Sequence, residues 1–131
     1  MSRNQDFADG TLADGGGTMN ATTGKQYKGE GYSVGGSPGL DGRQIPTVID
    51  DPKDFTAKRV AEHRKRILHE TKGNKDASVG TWLHEGKIQV DASDTVLSRA
   101  QAMVMAKDRN QIAIYDHAKG ADRKTWGRAI R

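Results

Sequence analysis

The strongest constraint in this chain is a pair of alternating runs around a two-residue connection. Val79, Thr81 and Leu83 alternate with Gly80, Trp82 and His84. Glu85-Gly86 follows, and then Ile88 and Val90 alternate with Lys87, Gln89 and Asp91. Period-two alternation puts one set of side chains on each face of a strand, and an X-Gly pair supplies the positive φ angles of a tight turn. The stretch therefore predicts a β-hairpin with Val79, Thr81, Leu83, Ile88 and Val90 facing a core. Trp82, His84 and Gln89 then face the other way.

Helical spacing appears on both sides of this hairpin. Upstream, Phe55, Val60, Ile67 and Leu68, with Ala57 and Ala61, recur at spacings of three, four and seven and predict a helix from about Pro52 to Lys72. Asp50-Asp51-Pro52 offers a cap and a first-turn proline, and Gly73-Asn74 a stop. His63 and His69 on this helix are expected on a solvated face. Downstream, Ser93 or Asp94 is expected to cap a second helix, about Thr95 to Arg109. Val96, Leu97, Ala100, Met103, Val104 and Lys107 would form its buried face and edge. Short extended pieces are expected at Gly31–Val34, at Val48-Ile49 and at Ile112–Tyr115. The order within residues 31–116 is then β-α-β-β-α-β, the ferredoxin-like order of an α+β domain, with an antiparallel sheet and two helices on one face.

The ends read differently. Eleven of the sixteen glycines lie in residues 1–42. Residues 1–30 hold only Phe7, Leu12 and Met19 as large apolar side chains besides the initiator and Tyr27. Such a segment is expected to bury too little surface to offset its ordering entropy, so it is expected to be a flexible, glycine-rich arm. Residues 31–117 form the expected domain, and residues 118–131 a basic tail with Lys119, Arg123, Lys124, Arg128 and Arg131.

Several chemistries are excluded or unsupported. The 131-residue chain has no cysteine, which removes disulfides, thiolate zinc sites and cysteine nucleophiles. No apolar run approaches a membrane span, and the first ten residues lack a signal-peptide core. No phosphate loop is present. His63 and His69 are six residues apart, on opposite sides of a helix, so they cannot share a metal. Glu85-Gly86-Lys87 has the Glu-x-Lys spacing of some nucleases but brackets a tight turn rather than lining a strand. No cofactor is expected.

Charge and exposed aromatics are the remaining leads. Residues 53–75 carry eight Lys and Arg against Asp54, Glu62 and Glu70. Arg59, Arg64, Lys65 and Arg66, with Arg123, Lys124 and Arg128, are candidate nucleic-acid contacts. No Phe, Tyr or Trp lies between Phe55 and Trp82, so the aromatic interleaving of base-stacking platforms is missing from that helix. Trp82, His84 and Trp126 are candidate partner contacts, since an outward Trp on an open sheet marks an interaction surface; the alternatives are Trp82 packed under the arm or the C-terminal tail, and Trp126 anchoring the tail on the domain.

Three pieces, Val79-Gly80-Thr81-Trp82, Gly86-Lys87-Ile88-Gln89-Val90-Asp91-Ala92-Ser93 and Asn110-Gln111-Ile112-Ala113-Ile114-Tyr115-Asp116, together resemble an uncharacterised domain of tailed-phage and prophage proteins. That domain stands alone or next to minor head proteins. The likeness covers about a third of the chain and departs from the pattern at Ala92 and His117. It carries no activity to transfer. It implies a non-enzymatic phage structural or virion-accessory protein, in the virion or the host cytoplasm. Its partners would be phage structural proteins or further copies of itself, reached through the arm and an exposed sheet face. Nucleic-acid binding and a small phage effector or host-defence inhibitor are the alternatives.

Overall fold

A computed structural model describes residues 2–124 of the chain. Three helices pack on a seven-stranded antiparallel sheet. The helices are α1 (Arg3–Asp14), α2 (Ala57–Glu70) and α3 (Arg99–Asp108). The strands are β1 (Gly16–Asn20), β2 (Tyr32–Val34), β3 (Val48–Asp50), β4 (Ala77–His84), β5 (Lys87–Val96), β6 (Ala113–Asp116) and β7 (Ala121–Lys124).

The hairpin forms where the alternation places it. β4 pairs with β5 from His84↔Lys87 to Ala77↔Asp94. Glu85 (φ 51°) and Gly86 (φ 77°) both adopt positive φ, the requirement of a tight two-residue turn that matches strand twist. Val79, Ile88 and Val90 are fully buried and Thr81 nearly so. Val48–Asp50 and Tyr32–Val34 are strands as expected, and both pair with β5, at its two ends.

The α+β class holds, but the strand order differs from the ferredoxin-like expectation. The sheet runs β1-β4-β5-β2-β6-β7, with β3 also on β5. The largest difference is at the N-terminus, which is not an arm. Ser2 caps α1 by accepting from the Gln5 amide, and Gly15 ends it at φ 86°. The chain then turns into β1, which pairs with β4 along its whole length. Phe7, Ala8, Met19 and Ala21 are buried in the main core with Val60, Ile67, Val79, Ile88 and Val90. Few side chains do this, but each is almost completely enclosed. The glycines permit it: a Cβ at Gly16 would stand 2.6 Å from the Thr81 carbonyl oxygen, and one at Gly17 3.1 Å from the Phe7 ring.

Two further boundaries move. Asp51 caps only a 3₁₀ turn (Pro52–Asp54), and α2 starts afresh after Thr56. β5 continues through Ser93 and Asp94, so neither caps a helix; Ser98 caps α3 instead. Ala102 and Ala106 form the buried stripe of α3, against Val34, Val96 and Ile114. Leu97 and Val104 are 68% and 63% exposed. Residues 121–124 of the expected basic tail are a strand, β7, on the outer edge of β6.

Residues paired directly across antiparallel strands share a face. By that rule Met19, Val79, Ala92, Val90, Val34 and Ile114 share one face, and it is the face the buried side chains of all three helices meet. The other face carries no helix among the described residues.

Candidate functional site

The open face is built in rows by the strand register. One row is Trp82, Gln89 and Ile49, on β4, β5 and β3. Trp82 is 54% exposed and Ile49 56%. The His84 ring stacks on the Trp82 indole with centroids 4.4 Å apart, and His84 Nε2 lies 2.9 Å from Glu85 Oε1. The expected contact residues Trp82 and His84 are thus brought together at the hairpin end. Ile49, which joins them, was hidden in the sequence because β3 is only three residues long. Trp126 and Arg128 lie outside the described residues.

Further along the strands the rows turn hydroxylic. Ser78 faces Ser93, and Thr95 faces Ser33 and, beyond it, Tyr115. Ser93, Ser78, Thr95 and Ser33 form one chain of hydroxyl contacts at 2.7, 2.8 and 2.6 Å, which ends at His117 Nε2, 2.7 Å from Ser33 Oγ. The segment after β1 folds over part of this chain. Tyr27 donates its amide to the Thr18 carbonyl, and its hydroxyl accepts from Asn20 Nδ2. His117 is held between Tyr27 and Tyr115, at ring distances of 5.9 and 4.9 Å. Burial lowers the pKa of His117, the nearby Asp116 only partly opposing it, so the ring is neutral at physiological pH.

Between the two ends runs a groove of about 930 Å³, lined by Trp82, Asp91, Ser93, Tyr27, Tyr115 and His117 among others. That is at the upper end of the range for small-ligand sites, ~300–1,000 Å³. Glycines, rings and polar side chains line it together, set on the strands and on the segments that follow β1 and β6. Among the described residues no cluster of His, Asp and Glu fits a metal ion.

The basic helix behaves otherwise than its composition suggests. Arg59 donates from Nε and Nη2 to the two carboxylate oxygens of Asp50, at 2.9 and 2.8 Å. Arg64 donates to the carbonyls of Ala21 and Thr22 and to Asn4 Oδ1, which ties α2 to the N-terminal segment. Arg66 donates to His63 Nδ1 at 3.0 Å. His63 is buried, not solvated as its polarity suggests, and its position three and four residues from Val60 and Ile67 is the stripe signal that marks it. Since Arg66 is always a donor, His63 Nδ1 accepts, and Nε2–H donates to Asp50 Oδ2 at 2.6 Å. Burial pushes the His63 pKa down, more than the Asp50 carboxylate raises it. Of the four cationic side chains proposed on this helix, Lys65 is the exposed one. Arg123 and Lys124 lie on β7, at the opposite end of the sheet order from β1.

No protein-family model, curated protein or solved structure matches the chain.

Proposed function

We propose that this chain is a non-enzymatic phage structural or virion-accessory protein that docks on a larger assembly through the open face of its sheet. The observation that carries the reading is the row Trp82–Gln89–Ile49 with His84. Two large apolar side chains, each more than half exposed, stand in one row on β4 and β3 with Gln89 of β5 between them, and no other part of the described chain covers their exposed surface. The likeness of the stretches around Val79–Trp82, Gly86–Ser93 and Asn110–Asp116 to a phage domain supplies the kind of assembly. The N-terminal segment, folded into the core, is not the docking element; the sheet face alone remains. Nucleic-acid binding through α2 is less well supported, because Arg59, Arg64 and Arg66 already hold intramolecular partners. Among the described residues no helix is long and apolar enough to cross a membrane.

The test is co-sedimentation with intact particles. The wild-type chain should travel with particles, and Trp82→Ala and Ile49→Asp should release it while both variants remain folded. Recovery of all three forms with particles, or of none, sinks the reading.

A further inference from the structure

The docking row occupies one end of the open face; the groove beside it extends past Ser93 to Tyr115 and His117, and its chemistry is different. We propose that this groove binds a neutral oligosaccharide. The inference rests on the reading of the open face as a binding surface, and it adds a second, distinct ligand to that face.

Charge excludes most other classes. The charged side chains along the groove are Asp14, Asp91 and Lys28. Asp91 accepts a hydrogen bond from Thr47 and lies in the field of Arg66. A polyanion such as nucleic acid finds one lysine to neutralise it, and a polycation finds too little acid. The occupant is therefore close to uncharged.

Shape and lining give the rest. Tyr115 and Trp82 are three strand spacings apart across the sheet and, by register, six residues apart along it. The groove between them is roughly 25 Å long by strand geometry. That length suits a short polymer rather than one small ring. Aromatic rings stand at both ends, and between them lie a carboxylate and hydroxyls, at Asp91, Ser93 and Ser33. A sugar chain has this same mixture, with apolar C–H faces that stack on rings and hydroxyl edges that pair with carboxylates and hydroxyls. An apolar peptide would strip water from the exposed Asp91 carboxylate and leave it Thr47 alone as a hydrogen-bond partner, at a desolvation cost.

The polar groups are also fixed before any ligand arrives. Ser33 is held between Thr95 and His117, and the His117 amide donates to the Gly31 carbonyl at 3.0 Å. Little ordering cost is left for binding.

The experiment is a titration of the full ¹⁵N-labelled chain with maltohexaose, cellohexaose and chitohexaose, and separately with a single-stranded DNA 12-mer and an Arg-rich heptapeptide. At least one hexasaccharide should shift amides along Gly80, Asp91, Ser93 and Tyr115, with Asp91→Asn and Tyr115→Ala each weakening binding tenfold or more. Ile49→Asp, outside the groove, should leave sugar binding unchanged while abolishing particle docking. That difference separates failure of this proposal from failure of the docking reading. No shift with any of the three sugars overturns the proposal. So does a groove response to the DNA or the heptapeptide alone, or equal sugar affinity in folded Asp91→Asn and Tyr115→Ala chains.

Discussion

Phe7→Ala decides whether the glycine-rich N-terminus belongs to the fold. In the structure the Phe7 ring is fully buried, over β1 at Gly17 and within the core that holds Val60, Val79 and Val90. Truncating an enclosed phenylalanine costs ~3–5 kcal/mol, from lost transfer energy and the cavity left behind. Chains of this size are stable by about 5–15 kcal/mol, so one substitution removes roughly a fifth of the total or more. At this length each kcal/mol moves the melting temperature by roughly 3–5 °C, which gives a fall of about 10–25 °C. If residues 1–30 were an arm, the same change would fall within ~0.5 kcal/mol, as surface substitutions do. Urea unfolding followed by far-UV circular dichroism separates the two outcomes, with Leu12→Ala on the exposed side of the same helix as the control. A midpoint for Phe7→Ala equal to wild type refutes the placement of α1 and, with it, of β1.

Three further outcomes follow from named contacts. Val90→Asp should cost several kcal/mol and unfold the chain, because it buries an unpaired carboxylate, whereas Gln89→Asp on the open face should change stability by under ~1 kcal/mol; paired urea curves check this. Gly16→Ala should destabilise by about 1–3 kcal/mol and loosen the β1–β4 pairing, since its Cβ meets a backbone carbonyl at 2.6 Å, and amide exchange at Gly17 and Met19 reads it. Stability should fall as pH drops below His63's ordinary value of 6.5, because burial lowers its folded pKa and the unfolded chain takes up the proton first. That contribution is complete above pH 6.5 and lost as pH falls through the folded pKa. His63→Gln should flatten this part of the profile, and a profile unchanged by the substitution contradicts the buried neutral ring.

What the sequence shows of this fold depends on how each element is stabilised. The hairpin is legible because alternation and an X-Gly turn are local properties, and both faces of β4 and β5 behave as their side chains dictate. α2 is legible because its apolar stripe is wide. α1 and β1 are not, because two large side chains and two alanines, each almost wholly enclosed, do what a longer apolar pattern does elsewhere. Counting apolar residues misses how completely each is buried. The end of β5 is missed for another reason. Ser93, Asp94 and Thr95 read as cap chemistry, yet Asp94 is buried and accepts from Ser37, Asn74 and Arg109, three partners distant in sequence. α3 is missed in register because small residues, Ala102 and Ala106, face the sheet and let the helix approach closely, while larger ones point outward. At the site, Trp82 and His84 are visible from the hairpin alone. Ile49, Ser33, Tyr115 and His117 join them only through strand pairings that no local pattern encodes.

The two faces of the sheet solve different problems. The covered face is apolar and needs its three helices, since bare it would expose a continuous hydrophobic surface. The open face needs no cover to fold. Its hydroxyls bond to one another across strands, and among the described residues no buried side-chain nitrogen or oxygen lacks a partner. A chain whose polar face is already satisfied can stay monomeric without strain, so a ligand or assembly must be recognised by what remains unsatisfied there. That is the exposed row of Trp82 and Ile49 and the aromatic ends of the groove. Docking on such a face exchanges water for contact at a few rigid positions and leaves the core untouched, and for that reason Trp82→Ala and Ile49→Asp are expected to alter binding without altering the fold.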